Sequence, residues 1–579
     1  MPIHNSDIAD IFNRVADLLE LEGANQFRIR AYRSAARVVS DLPQSVADMV
    51  KREENLSKLP GIGKDLAGKI KEIVEKGSLA QLKELEDRTP KELGNLLKLE
   101  GLGPKRVMAL HKKLGVKAPE DLRKVAEAGK IRELSGFGKK TEQMILEALG
   151  EIREEKKRLK LMAAEQIANP LVDYLKKSKG VKDIAVAGSY RRRKETVGDL
   201  DILVTCKKES KVMDRFVDYE DVDKVISKGK TRSTVALQSG FHVDLRVVPQ
   251  VSYGAALHYF TGSKDHNIAV RKLGVQKHFK INEYGVFKGK KRVAGRTEEE
   301  VYRKVGLHYI DPELRENWGE IEAAQKNRLP KLIKLKDIRG DLHVHTKETD
   351  GRHGLDDMVK AAKDHGYEYL AITDHSKRVS MAHGLDKKRL AKQIKAIDKL
   401  NGTMKGIVIL KSVELDILED GSLDLPDDIL KELDFTVCAV HYNTKLSRKK
   451  QTERIIHAMD NPFFNILAHP SGRLINEREP YDLDLERLMK AAKERGCLME
   501  LNAHPDRLDL TDRYCKMAKE MGVKIVISTD AHSITDLDFM RFGVDQGRRG
   551  WLEPKDVLNT QSWSEIKKLL KRGYRWKIF

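Results

Sequence analysis

Apolar and polar positions along the chain fall into three regimes. In the first 150 residues apolar positions recur at helical spacing. Ile8, Ile11, Phe12, Val15, Leu18 and Leu19 share one face behind an Asn5 or Ser6 cap, and Ala31, Ala35, Val38 and Val39 predict a second helix. Around 181 to 255 the period shortens to two. The runs Ile184-Ala185-Val186-Ala187 and Ile202-Leu203-Val204 and the alternating His242-Val243-Asp244-Leu245-Arg246-Val247-Val248 read as strands. From 339 to the end, seven apolar strand-like runs alternate with amphipathic stretches such as 355 to 365 and 485 to 495. Strand and helix alternating in this way predict a parallel, distorted (β/α)7 barrel.

The breaks in each regime carry the chemistry. In the helical part a Gly-apolar-Gly turn followed by a cation occurs three times: Gly61-Ile62-Gly63-Lys64, Gly101-Leu102-Gly103 with Lys105, and Gly136-Phe137-Gly138-Lys139. Each turn leads into an amphipathic helix. Exposed N–H groups at a helix start, with glycines allowing close approach, suit a phosphate. One such turn is weak evidence, and three with the same cation placement are strong.

Between the first two strands lies Gly188-Ser189-Tyr190-Arg191-Arg192-Arg193-Lys194, followed by Gly198-Asp199-Leu200-Asp201. Asp199 and Asp201, two apart on a predicted strand, point to one face. Carboxylates so close repel unless a cation sits between them. Asp244 on a neighbouring strand adds a third. Three carboxylates, a Gly-Ser turn and basic charge describe metal-assisted phosphoryl transfer.

Gly-Ser, Asp-x-Asp and a third strand Asp resemble the polymerase-beta-like nucleotidyltransferases. Fourteen residues past Asp244, the string His258-Tyr259-Phe260-Thr261-Gly262-Ser263 with Asn267 and Arg271 resembles the nucleotide-binding segment of family X DNA polymerases. The resemblance implies catalytic Asp199, Asp201 and Asp244 holding Mg²⁺ or Mn²⁺. Gly188, Ser189, Arg192 and Gly198 would hold the triphosphate, with Thr261 and Gly262 in the same site. Tyr259 and Phe260 would flank the sugar, Asn267 would meet the base in the minor groove, and Arg271 the template. The glycine turns resemble helix-hairpin-helix elements, which grip the DNA backbone without reading sequence. Their place in the family implies an N-terminal lyase-like domain with Lys69 as its candidate Schiff-base amine. A role for Lys69 in phosphate contact alone fits the residues equally well.

The seven runs of the last part end in His343 and His345, Asp374 and His375, Glu414, His441, His469, Glu500 and Asn502, and Asp530 and His532. Polar residues at the carboxyl ends of barrel strands mark an active site. Mixed imidazole and carboxylate favours Zn²⁺, Mn²⁺ or Fe²⁺ over Mg²⁺. This half resembles the polymerase-and-histidinol-phosphatase (PHP) phosphoesterase domain. The family pattern matches His343, His345, Asp350, His375, Glu414, His441, His469, Asp530 and His532, and implies up to three metals bridged by Glu414. Asp374 is placed outside the ligand set, orienting a His or accepting a proton. Arg473 or Lys377 is the expected phosphate contact.

Composition narrows the partners. The net charge of +20, with 34% charged residues, points to a polyanion. Four cysteines without a Cys-x-x-Cys pair indicate neither a disulfide frame nor a zinc finger. No segment has the length and apolarity of a membrane span or signal peptide. A reduced, cytoplasmic, nucleoid-associated monomer is expected, acting on gapped or nicked duplex DNA and dNTPs with no membrane partner. The expected order is a helix-hairpin-helix domain (1–90), a fingers-like helix-hairpin-helix region (91–150), an α+β palm (151–255), a thumb (256–320), a linker (321–338) and a PHP barrel (339–579). The expected function is short-gap repair synthesis by dNMP transfer. A 3′–5′ exonuclease or 3′-end phosphoesterase sits alongside it, and abasic-site incision is implied by the family. Two rivals are a non-catalytic DNA-end scaffold, opposed by the complete ligand sets, and a small-metabolite nucleotidyltransferase and phosphatase, opposed by the three hairpins.

Overall fold

The computed structural model describes residues 5–41, 46–59, 61–88, 93, 96, 102, 104–134, 137–138, 141–146 and 158–570. The chain divides into two compact units, 1–157 and 158–579.

The first unit is helical. Asn5–Leu21 packs along Gln26–Asp41, followed by Val46–Lys51, Lys64–Lys76, Ala80–Arg88, Pro104–Leu114 and Pro119–Glu127. One apolar core runs from Ile8 to Ile145 and joins both predicted hairpin regions. The apolar residue of each Gly-apolar-Gly turn is buried: Ile62, Leu102 and Phe137. That burial pins the turn while Gly61, Gly63, Lys64 and Gly138 stay exposed. Gly61 has φ +80°, and a Cβ there would meet Ser34 Oγ at 3.1 Å, so the turn needs glycine. Gly101, Gly103, Gly136 and Lys139 lie outside the described residues, as does the Lys105 side chain.

The second unit begins with the helix Leu161–Lys176 against a five-stranded sheet. The strand order is Val181–Val186, Leu200–Cys206, His242–Val247, Arg232–Leu237, Val222–Lys228. Only the pair Leu200–Cys206 and His242–Val247 is parallel. The helices Tyr253–Thr261 and Lys264–Gln276 lead to a small antiparallel sheet, Lys280–Asn282, Gly285–Lys288 and Lys291–Ala294.

The barrel follows. Its strands are Gly340–Asp341, Tyr369–Ile372, Val408–Lys411 continued as Glu414–Asp416, Val437–Ala439, Ile466–Leu467, Leu498–Asn502 and Ile525–Ser528, all paired in parallel. The third strand is interrupted at 412–413. Bridges His375↔Glu414 and Val344↔Ala531 join the two sheets into a ring. Strands buried on both faces explain the near-continuous apolar runs. Asn465 donates to the Leu570 carbonyl, so the helix Trp563–Leu570 covers the amino ends of the strands.

Residues 321–338 have a linker's composition but are packed. Ile333 and Ile338 enter the barrel core, and Ile333 N–H bonds the Leu552 carbonyl. Palm and barrel also share a core: Ile475, Leu508 and Phe542 pack with Leu161, Ala164 and Leu171. Ion pairs surround it. Lys160 meets Glu477 and Asp506 at 2.5 and 2.6 Å, Glu165 meets Arg541 at 2.6 Å, and Glu313 meets Arg548 at 2.8 Å.

Candidate active sites

The parallel pairing of the second unit sets Asp201 opposite Asp244. Asp199 stands just before the strand, which starts at Leu200 and not, as the alternation implies, at Asp199. Burial first, then the charges of Asp199 and Asp244, push the Asp201 carboxyl up to about 6. Asp244 accepts bonds from Thr234 and, at 3.1 Å, from Arg232. Gly188 has φ +64°, and a Cβ there would lie 3.2 Å from Asp201 Oδ2. Only glycine lets the turn lie that close to the carboxylate. An oxygen-only trio of this kind fits a hard ion such as Mg²⁺ or Mn²⁺, whose shell is completed by water and phosphate oxygens.

Beside the trio opens a cavity of about 780 Å³. Gly188, Ser189, Arg192, Asp199, Asp201, Tyr259, Phe260, Gly262, Asn267 and Arg271 line it. Gly198 and Thr261 are not among its walls. A Cβ on Gly198 would meet the Arg158 guanidinium at 2.8 Å, and Thr261, fully buried, accepts from Arg191 at 2.7 Å. Asn267 Nδ2 donates to the Tyr259 carbonyl at 2.7 Å. The rings of Tyr259 and Phe260 meet edge to face at 5.1 Å, and Arg246 lies over Phe260 at 4.4 Å. Arg192 donates to Glu316 at 3.0 Å and to the Thr261 carbonyl at 2.5 Å. Lys194 of the predicted basic run also stands in the walls, whereas sequence reasoning missed Arg158, Lys264 and Trp318, and also Thr511, Asp512, Arg513 and Arg549, which come from the barrel part of the chain.

In the first unit, Lys69 pairs with Asp65 at 2.5 Å and lies 5.8 Å from the Tyr32 ring centre.

All nine predicted barrel ligands gather at the carboxyl ends of the strands. Their ligand atoms form three overlapping groups: His345, Asp350, His375 and His532; His343, His345 and Asp530; and His375, Glu414 and His441. His469 joins through Glu414 Oε1 at 2.9 Å. Nε2 of His343 and of His345 are 3.1 Å apart. Nδ1 of His375 and Oε2 of Glu414 are 2.9 Å apart, yet neither has a hydrogen-bond partner of sound geometry, and Nδ1 of His345 and of His469 are orphaned too. Buried nitrogen and oxygen atoms that converge without bonding one another fit cations between them. His469 and Asp530 also hold positive φ, +27° and +57°, which non-glycine residues adopt at a cost.

The electrostatics agree. Burial opposes charge throughout. Glu500, Asp530 and Glu414 nonetheless hold His343 well above the usual imidazole range, and Glu414 with Asp350 holds His375 at about 10. His345 is pushed down to about 3 by burial and by His532 and His375. A cation would replace the protons that these carboxylates draw onto the rings.

Two residues beyond the predicted set orient ligands. Glu500 faces His343 Nδ1 at 2.7 Å and accepts the His469 N–H at 2.7 Å, while Asp416 faces His441 Nδ1 at 3.2 Å. Their place at strand ends was the available signal. Asp374 does not orient a histidine. It accepts from Thr346, Thr349 and Gln393 and so holds the loop after His345. Arg473 is not a free phosphate contact, because it forks onto Glu195 at 3.1 and 2.6 Å.

Comparisons with known proteins match five stretches of the chain. Family models match a helix-hairpin-helix domain at 3–79, a SAM-like helix-hairpin-helix tandem at 93–151, a DNA polymerase beta palm at 158–242, a DNA polymerase beta thumb at 256–316 and a PHP domain at 341–504. The DNA polymerase/3′-5′ exonuclease PolX of Bacillus subtilis is 38% identical over 575 residues, 99% of this chain and 100% of that protein. The chain belongs to the family X DNA polymerases with a PHP domain. The barrel of this family X polymerase has separate relatives. A probable phosphatase of Thermoanaerobacter sp. strain X514 is 30% identical over 246 residues, 41% of this chain and 95% of that protein. A probable phosphatase of Acetivibrio thermocellus is 30% identical over 201 residues, 33% of this chain and 78% of that protein. Among the described residues of the family X polymerase no helix is long and apolar enough to cross a membrane.

Proposed function

We propose that the chain fills short gaps in duplex DNA at the palm cavity and trims or cleans 3′ ends at the barrel cluster. The observation that carries this reading is the presence of two separate acid-rich centres, Asp201 facing Asp244 in one and, in the other, eight convergent ligands with His469 joined through Glu414. Divalent ions held by Asp199, Asp201 and Asp244, and by the barrel set, would supply charge neutralisation and activation of the attacking oxygen. In the palm, Ser189 and Arg192 hold the triphosphate, Tyr259 and Phe260 bound the sugar, and Asn267 and Arg271 face base and template. In the barrel, Glu500 and Asp416 fix the rings of His343 and His441 so that Nε2 of each faces the cluster. The six-part division 1–90, 91–150, 151–255, 256–320, 321–338 and 339–579 belongs to the same reading. So do Mg²⁺ or Mn²⁺ in the palm, up to three Mn²⁺, Zn²⁺ or Fe²⁺ in the barrel, monomeric action and a place at the nucleoid. The glycine turns with Lys64, Lys105 and Lys139 grip the DNA backbone.

The test is one gapped duplex with dNTPs and Mn²⁺. Asp201→Ala is expected to lose extension and keep 3′ degradation, and His343→Ala to do the reverse. A folded single variant that loses both activities refutes two independent centres.

A further inference from the structure

Arg549 lies on the barrel helix Met540–Arg549, yet it reaches the wall of the nucleotide cavity. Its side chain is 1% exposed. Every bond it makes serves that wall. It donates to the Arg192 main-chain carbonyl at 2.7 Å, to Glu316 Oε1 at 3.1 Å and to Asp512 Oδ2 at 2.5 Å. Glu316 Oε1 also accepts from Arg192 at 3.0 Å. Two guanidiniums, Arg192 and Arg549, thus face two carboxylates, Glu316 and Asp512, and the Lys194 ammonium acts on Glu316 as well. Glu316 keeps its charge in spite of burial because Arg549, Arg192 and Lys194 hold it at about 2.

We propose that Arg549 is a positioning residue for nucleotide binding, supplied to the polymerase centre by the phosphoesterase barrel. This rests on the cavity being the dNTP site. Arg549 fixes the loop of Arg192 by its carbonyl. It also answers Asp512 and shares Glu316 with Arg192, so that neither carboxylate is balanced by Arg192 and Lys194 alone. Without it, Asp512 in the cavity wall and Glu316 bonded to Arg192 draw on the cations a triphosphate needs, and the wall turns against a polyanion.

The experiment is single-nucleotide extension on a gapped duplex, with hydrolysis of a 3′-phosphate end measured on the same preparations. Arg549→Met is expected to raise the dNTP KM about tenfold, with kcat and 3′-phosphate hydrolysis little changed. Arg549→Lys keeps the charge and should recover most of the loss. Glu316→Gln in the Arg549→Met background removes the unbalanced carboxylate and should lower KM again, which a merely structural role would not do. An unchanged KM in a hydrolysis-competent Arg549→Met overturns the proposal. If that variant loses hydrolysis as well, Asp512→Gln decides: removing one carboxylate should lower the dNTP KM two- to threefold, and a rise overturns the proposal. A wild-type protein that does not extend the gap refutes the cavity reading itself, whereas extension with an unmoved KM refutes only the part assigned to Arg549.

Discussion

Asp201 and Asp244 sit opposite each other on parallel strands, and that pairing gives the palm its chemistry. Asp201→Ala removes the carboxylate that faces Asp244 across the pair. Extension should fall on the order of a thousandfold, measured at saturating Mn²⁺ on a gapped duplex. A second residue-scale prediction concerns Glu298. Burial would raise its carboxyl, but Arg315 and Arg191 outweigh burial and hold it at about 2, below the ordinary 4.5. A depressed carboxyl stabilises the fold above its unfolded pKa, and that stability is lost as pH falls towards 2. Wild type should therefore lead Glu298→Gln in urea midpoint near pH 6, and the gap should close between pH 4.5 and 2. At this scale the sequence was most readable where chemistry is local. Asp-x-Asp and His-x-His declare themselves by spacing. Arg549 does not, since its partner Arg192 is 357 residues away, and an arginine on an amphipathic helix looks like any solvated one.

Strands and helices place these groups, and there the periodicities held with three physical exceptions. The third barrel strand breaks at 412–413, where Glu414 leaves the Val408–Lys411 line to pair with His375. Asp199 precedes its strand. Residues 321–338 look like a linker because their buried positions are few and widely spaced, yet Ile333 and Ile338 anchor them. Two predictions belong to elements. A Cβ at Gly254, in the helix Tyr253–Thr261, would lie 2.1 Å from the Thr297 carbonyl carbon. Gly254→Ala should cost about 3 kcal/mol or more, because backbone and not a side-chain tip must move, and a lowered melting temperature of the second unit would show it. Glu500 on the strand Leu498–Asn502 orients His343. Glu500→Gln should weaken metal binding by about tenfold or more, seen as a higher Mn²⁺ requirement for 3′ degradation with extension unchanged.

For the molecule as a whole, a net charge of +20 and three cation-bearing turns predict affinity for duplex that falls steeply with salt. Filter binding between 50 and 200 mM salt, roughly the range over which phosphate contacts lose most of their strength, checks it. A flat response would contradict a backbone grip. The order of hairpins, palm, thumb and barrel was legible because each has its own period. The joint between palm and barrel was not, because its ion pairs follow no spacing. Most of that joint has one sense, though Lys160 reverses it towards Glu477 and Asp506. Glu165, Glu195, Glu313 and Glu316 stand on one side, and Arg541, Arg473, Arg548 and Arg549 answer them from the other. The barrel by itself matches 95% of the length of a probable phosphatase. The synthetic half, cut away at the joint, would lose those four guanidiniums, among them the one on Glu195, which lines the pocket meant to welcome a triphosphate, and the one on Glu316, which bonds that pocket's Arg192. Severing the two halves should thus be a far heavier loss for the synthetic one than for the hydrolytic one.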